Sequence, residues 1–145
     1  NTPWDIDDAV LRRFPRRIYI PLPDLTTRKA LLTHLLKKED KEDGYSNSVS
    51  SSNQHNLSST DKKAIVRRLS GFSGSDITSI VSEAAFGPIR SLGGGVEAIK
   101  TVQSQDIRPM NKSDFDVAID SATKSVSKKL LKQYETWKTE QQASA

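Results

Sequence analysis

Ile77, Ile80, Val81, Ala84 and Ala85 recur at i, i+3, i+4, i+7 and i+8, the spacing of one apolar face on a helix. A stripe of that kind must be buried against other elements, and neighbouring stretches offer matching stripes. Asp24 is placed to cap a helix running to about Lys38, with Leu31, Leu32, Leu35 and Leu36 on one side. Ser59 or Thr60 opens a short helix carrying Ala64, Ile65 and Leu69. Asn111 caps another, with Phe115, Ala118, Ile119 and Ala122 inward, and a last helix from near Ser127 buries Leu130, Leu131, Tyr134 and Trp137. On the central helix, Ser75 reads as the N-cap and Asp76 suits the positive end of the dipole. Pro88, which lacks an amide donor, is expected to kink the last turn, and Gly93, Gly94 and Gly95 to end it. A short helix is predicted near Val96 to Lys100.

Two stretches break this helical pattern. Ile18, Ile20 and Leu22 alternate with Tyr19, a period of two that predicts a short strand near residues 17–21 following a loop and an acidic turn. Residues 39–59 are charged and then rich in Ser and Asn, which predicts a mobile loop. The expected fold class is mostly α: a small helical bundle carrying one strand left over from an α/β sheet, and a C-terminal helix.

A length of 145 residues suits one domain with its own core, although the hydrophobic fraction of 34% is lean. The net charge of +4 is concentrated at residues 12–17 and along the last helix, so anion contact is expected to be local. The chain has no Cys, which excludes disulfides and thiolate metal sites. It has no apolar run long enough to span a membrane and no secretory h-region, so it is expected to be soluble and cytoplasmic or nuclear. Starting mid-motif and without Met, it is expected to be an excised piece of a longer protein.

The run NTPWDIDDAVLRRFPRRIYIPLPD holds Arg12, Arg13, Arg16 and Arg17 within six positions. Such a cluster repels itself unless an anion sits opposite, and planar guanidinium forks match phosphate oxygens better than lysine does. Taken by itself, the same run reads as a solvated basic turn.

This run resembles the end of the large subdomain of an AAA ATPase. The stretch GFSGSDITSIVSEAAFGPIRSL resembles the lid helix of the meiotic clade, the group that holds spastin, katanin, fidgetin and the vacuolar-protein-sorting ATPases. MNKSDFDVAIDSATKSVSKKLLKQYETWKTE resembles that clade's two closing helices. The resemblance divides the chain into the end of the large subdomain (1–23), the helical lid (24–123) and the C-terminal helix (124–145). It implies that Arg13 and Arg16 are arginine fingers acting on the next subunit's nucleotide, and that Asn1 is sensor 1. It gives Arg90, in GPIR, the place of sensor 2. Gly74 and Ser75 take the turn lying against adenine, and Leu35, one position from His34, takes a place near the base. Arg12 and Arg17 are left as structural or surface residues. On a continuous helix at about 100° per residue, Arg90 falls near 220° when the apolar arc is centred near 10°, so it points away from the lid core. An ordinary solvated arginine at a helix C-terminus fits that angle equally well.

The chain has no GxxxxGK[ST] phosphate loop and no apolar strand ending in Asp-Glu for Mg²⁺. The resemblance implies that it is part of an oligomeric ATPase, a hexameric ring, that uses ATP and Mg²⁺ to remodel or sever protein assemblies such as microtubules or membrane-remodelling filaments, the phosphate loop and Mg²⁺ strand being supplied by the rest of that protein. By itself it is expected to be inactive and to hold no nucleotide, no metal and no nucleic acid. The alternative reading is a non-catalytic basic helical module that binds acidic partners or nucleic acid.

Overall fold

Among the described residues of the computed structural model, eight elements follow one another: a 3-10 turn at Pro3–Asp5, α1 (Asp8–Arg13), α2 (Leu25–Leu36), α3 (Ser59–Arg68), α4 (Gly74–Ala85), α5 (Gly87–Arg90), α6 (Lys112–Ser121) and α7 (Lys128–Ala143). The structure describes residues 2–14, 16, 18–37, 55–93 and 107–143. Asn1, Arg17, Gly94, Gly95, residues 39–54 of the expected loop and the helix expected near Val96 to Lys100 lie outside the described residues. The chain divides into two units, Leu22–Ser125 and Asn1–Pro21 with Val126–Ala145.

In the larger unit each long helix starts on a side-chain acceptor, which satisfies amides that have no intrahelical partner. Asp24 Oδ1 accepts from the Thr27 amide at 2.7 Å. α3, α4 and α6 all begin with reciprocal capping boxes: Ser58 with Asp61, Ser73 with Asp76, and Asn111 with Asp114. The cap of α4 is thus Ser73, not Ser75. Ser73 has the extended backbone a cap needs, and Asp76, three residues on, returns a bond to its amide at 2.9 Å.

The core forms where these helices meet. Leu32 and Leu36 of α2, Ile65 and Val66 of α3, Ile77, Ile80, Val81 and Ala84 of α4, and Phe115, Ala118 and Ile119 of α6 are all buried. α4 packs mainly against α6, and α2 and α3 close the other side. The end of the expected loop is built into this unit. Leu57 is buried, and the Asn56 amide donates to the Met110 carbonyl at 2.8 Å beside the isolated parallel bridge His55–Met110.

Pro88 does more than kink α4. That helix stops at Ala85, Phe86 forms a turn, and Gly87 and Pro88 begin the separate α5. Pro88 has no amide to give the Ala84 carbonyl, so the ladder cannot continue through it. The angular position of Arg90 reckoned along one continuous helix therefore does not apply.

In the smaller unit no strand forms among the described residues, contrary to the reading of residues 17–21. Ile18 and Ile20 are each 84% exposed. A strand needs a neighbouring edge for its amides and carbonyls, and the only bridge described lies in the other unit. Tyr19 instead packs on Tyr134 of α7 at 5.9 Å between ring centroids, and Trp4 meets the same Tyr134 edge-on at 5.1 Å. Lys138 Nζ lies 5.8 Å from the Tyr19 ring centroid. Leu130, Leu131, Tyr134 and Trp137 are half-buried rather than buried. The acidic turn before the arginines is helical: Asp7 Oδ1 accepts from the Ala9 amide at 2.7 Å and starts α1.

Candidate functional site

Arg13 closes α1 and Arg16 follows two residues after the helix C-cap, Phe14; both are exposed. Arg12 and Arg13 lie in the last turn, where the negative end of the dipole favours cations. Among the described residues, none of Arg12, Arg13 and Arg16 pairs with a carboxylate. Their forks are free for an anion brought from elsewhere.

Gly74 and Ser75 form the first turn of α4. A Cβ on Gly74 would meet Leu31 Cδ2 only at 4.0 Å, so packing within this unit does not demand glycine there. Arg90 lies beyond the other end of the same helix. The twelve residues of α4 rise roughly 18 Å, so only a ligand extended along α4 would touch both groups. Arg90 is already engaged: its guanidinium pairs with the Glu83 carboxylate and donates to the Glu83 carbonyl at 3.1 Å. His34 is an exposed helical residue, and Leu35 is half-buried against the core.

Of the polar groups that fix the lid, only Asp76 was singled out from the sequence. Arg28 is buried, with Nε donating to the Val66 carbonyl at 3.1 Å and a terminal nitrogen donating to the Pro23 carbonyl at 2.8 Å. Arg108 grips both oxygens of buried Asp114 at 2.7 Å and reaches Ser91 Oγ at 2.7 Å. This bidentate pair holds the Asp114 carboxyl below the usual carboxylate range. Burial pushes Asp76 the other way, but hydrogen bonds from Ser73 and Ser125 outweigh it and the net shift is down. The signal for Asp114 and Asp76 was present in the sequence: each is the acid three residues after a cap. For Arg28 and Arg108 no periodicity pointed inward.

Among the described residues no three His, Cys, Asp or Glu side chains gather to hold a metal ion, and no helix is long and apolar enough to cross a membrane.

The helical bundle matches known proteins throughout. Residues 59–115 match the AAA+ lid domain. A probable spastin homologue of Caenorhabditis briggsae is 40% identical over 131 residues, 90% of this chain and 22% of that protein. An ATPase-like fidgetin of Schizosaccharomyces pombe is 36% identical over 137 residues, 94% of this chain and 18% of that protein. The crystal structure of the FIGL-1 AAA domain in complex with ADP superposes with a TM-score of 0.77 at 29% identity, covering 97% of this chain and 42% of that one. A structure describing katanin self-assembly superposes at 0.66 and 28% identity, over 94% and 44%. The chain spans about a fifth of the length of these curated relatives. Fold and matches together define an AAA lid followed by a closing helix. Residues 59–115 are an AAA+ lid domain, and the chain as a whole is similar to the corresponding part of spastin- and fidgetin-like AAA proteins.

Proposed function

We propose that this chain is the lid and inter-subunit arm of an oligomeric, hexameric AAA ATPase that couples ATP hydrolysis to severing or remodelling a protein assembly. Microtubules and membrane-remodelling filaments are the substrate class. The observation that carries the reading is the pair Arg13 and Arg16, presented exposed and free of described carboxylates at and just after the end of a short capped helix. An arginine offered from outside a nucleotide site stabilises the charge spread over a phosphoryl group in transfer, an effect on the order of 10³ to 10⁵ in rate in GTPases. The ADP complex of the FIGL-1 AAA domain and the self-assembly of katanin support nucleotide use and oligomerisation. Asn1 serves as sensor 1, and Gly74 and Ser75 lie against adenine. ATP with Mg²⁺ is held chiefly by a phosphate loop that this chain does not contain, so the chain alone neither hydrolyses ATP nor holds it tightly. The assembly works in the cytoplasm or nucleus.

Arg90 couples nucleotide to the lid by exchanging Glu83 for a phosphate oxygen. In a protein joining this chain to its phosphate loop, Glu83→Gln frees Arg90 and tightens nucleotide binding, whereas Arg90→Ala weakens the response of the lid to nucleotide. Nucleotide titrations of the two variants test this. Equal affinities for both variants and wild type would make Arg90 a purely structural tie between α4 and α5.

A further inference from the structure

Leu25, Leu32 and Val66 form the floor of an open groove of about 440 Å³ between α2 and α3. Leu25 is 58% exposed. Lys29 of α2 and Lys62, Lys63 and Arg67 of α3 form the rim. The lining residues of each helix recur at three- or four-residue spacing, so two parallel stripes face one channel.

Four cations around an exposed leucine repel one another, and the described residues offer them no balancing carboxylate. Among the described residues no ion pair reaches Lys29, Lys62, Lys63 or Arg67. α2 contains no acid, and Asp24, which precedes it, caps Thr27. Asp61, the one acid of α3, is turned onto the Ser58 amide and hydroxyl at 3.0 and 2.7 Å. Neither capping nor internal pairing accounts for them. Arg68, next to Arg67 but on another face, is satisfied by Asp116 and Asp120.

We propose that this groove docks an acidic, amphipathic segment of a partner protein. A leucine-sized side chain of that segment sits on Leu25, and its flanking carboxylates meet Lys29, Lys62, Lys63 and Arg67. The lined stretch of α2, Leu25 to Thr33, is roughly 12 Å long at 1.5 Å per residue, the length of about two helical turns. Apolar anchoring supplies affinity, and the cationic rim selects partners and speeds encounter. The inference does not rest on the ATPase reading, because no residue of the groove belongs to the proposed nucleotide-contacting set.

The test uses the whole chain and a synthetic fluorescein-labelled helical peptide with Leu at every third or fourth position and Glu between. A second peptide keeps the leucines and replaces Glu by Lys. Fluorescence anisotropy at about 50 mM salt should show binding of the Glu peptide alone. The double variant Lys62→Glu, Lys63→Glu should weaken it about tenfold or more, as expected for like charges facing each other, and Leu25→Ser should weaken it at unchanged salt dependence. Methyl resonances of Leu25, Leu32 and Val66 should shift on titration. Circular dichroism checks that the variants keep their helices, since the three substituted positions are at the surface of the groove. Several results would overturn the proposal. One is equal binding of the Lys peptide, and another is indifference to the charge reversal. A concentration-dependent self-association abolished by the same reversal would assign the groove to a second copy. Tighter peptide binding after neutralising Glu39, Asp40, Glu42 and Asp43 would assign it to the chain's own acidic run.

Discussion

Gly87 lies directly against the carboxyl group of Asp114: a Cβ at Gly87 would stand 2.6 Å from Asp114 Cγ. The first residue of α5 is therefore a glycine because α6 presents its capping acid, with Arg108 attached, into the same space. Gly87→Ala must displace Asp114 or part α5 from α6. We expect a loss of about 2 kcal/mol or more. Gly93→Ala meets nothing within 4 Å and bears only the strain of φ +66°, about 1 kcal/mol. Urea unfolding of the two variants checks the order; equal losses would remove the steric argument.

Acid should unfold the lid through its capping acids. Asp114 is lowered chiefly by its bond from Arg108, and Asp76 is lowered by the Ser73 and Ser125 bonds that overcome burial. A carboxyl whose folded pKa lies below its unfolded value stabilises fully above the unfolded value, about 3.9. That stabilisation is lost as pH falls through the folded value. Stability should therefore be flat near neutrality and fall below about pH 4. Asp114→Asn should cost about 1 to 3 kcal/mol at pH 7, since it leaves the half-exposed Arg108 partnered by a neutral amide on a buried position. It should also flatten the acid limb. A pH series of thermal unfolding for wild type and variant measures both effects, and an unchanged acid limb would contradict the assignment.

Arg28 ties the entry of α2 to the end of α3 through two carbonyls, and Lys cannot reach both with one ammonium. Arg28→Met should cost about 2 kcal/mol by leaving the Val66 and Pro23 carbonyls without this donor, and Arg28→Lys should recover only part. Denaturant midpoints decide, and full recovery by Lys would show that charge alone matters there.

Tyr134 touches both Trp4 and Tyr19, so one ring of α7 brackets the segment that carries Arg13 and Arg16. Tyr134→Ala should release Trp4 and change its fluorescence, while the Leu22–Ser125 unit keeps its melting behaviour. A Trp137→Phe background isolates the Trp4 signal, because the chain has two tryptophans. Unchanged Trp4 emission and quenching in that background would mean the bracket does not hold in solution.

The helices were legible because their stripes and caps are local signals. Leu32 and Leu36, the α4 stripe, and Phe115 with Ala118 and Ile119 all turned inward as spaced. The cap of α4 was misplaced by two residues because GSD offers a second serine, and only the return bond from Asp76 to Ser73 decides between them. The strand at residues 17–21 failed for a non-local reason: alternation shows which faces a strand would have, not whether an edge exists to pair with it. The break at Phe86 follows from Pro88 together with the Asp114 carboxyl under Gly87, a tertiary contact that no window of sequence contains. Arg28 and Arg108 were hidden for the same reason, since an arginine that ties elements together is recognisable only from the carbonyls or carboxylate that receive it.

The central claim is that Arg13 and Arg16 act on a neighbouring subunit's nucleotide. It is tested most directly by mixing two inactive forms of the complete ATPase. One carries Arg13→Ala and Arg16→Ala, and the other has its Mg²⁺-site catalytic glutamate neutralised. Each form alone should bind ATP and turn it over negligibly, and the mixture should regain ATPase activity where an intact arginine pair faces an intact glutamate. A mixture as inactive as its components, together with loss of ATP binding by the arginine variant itself, would show that these arginines serve their own subunit.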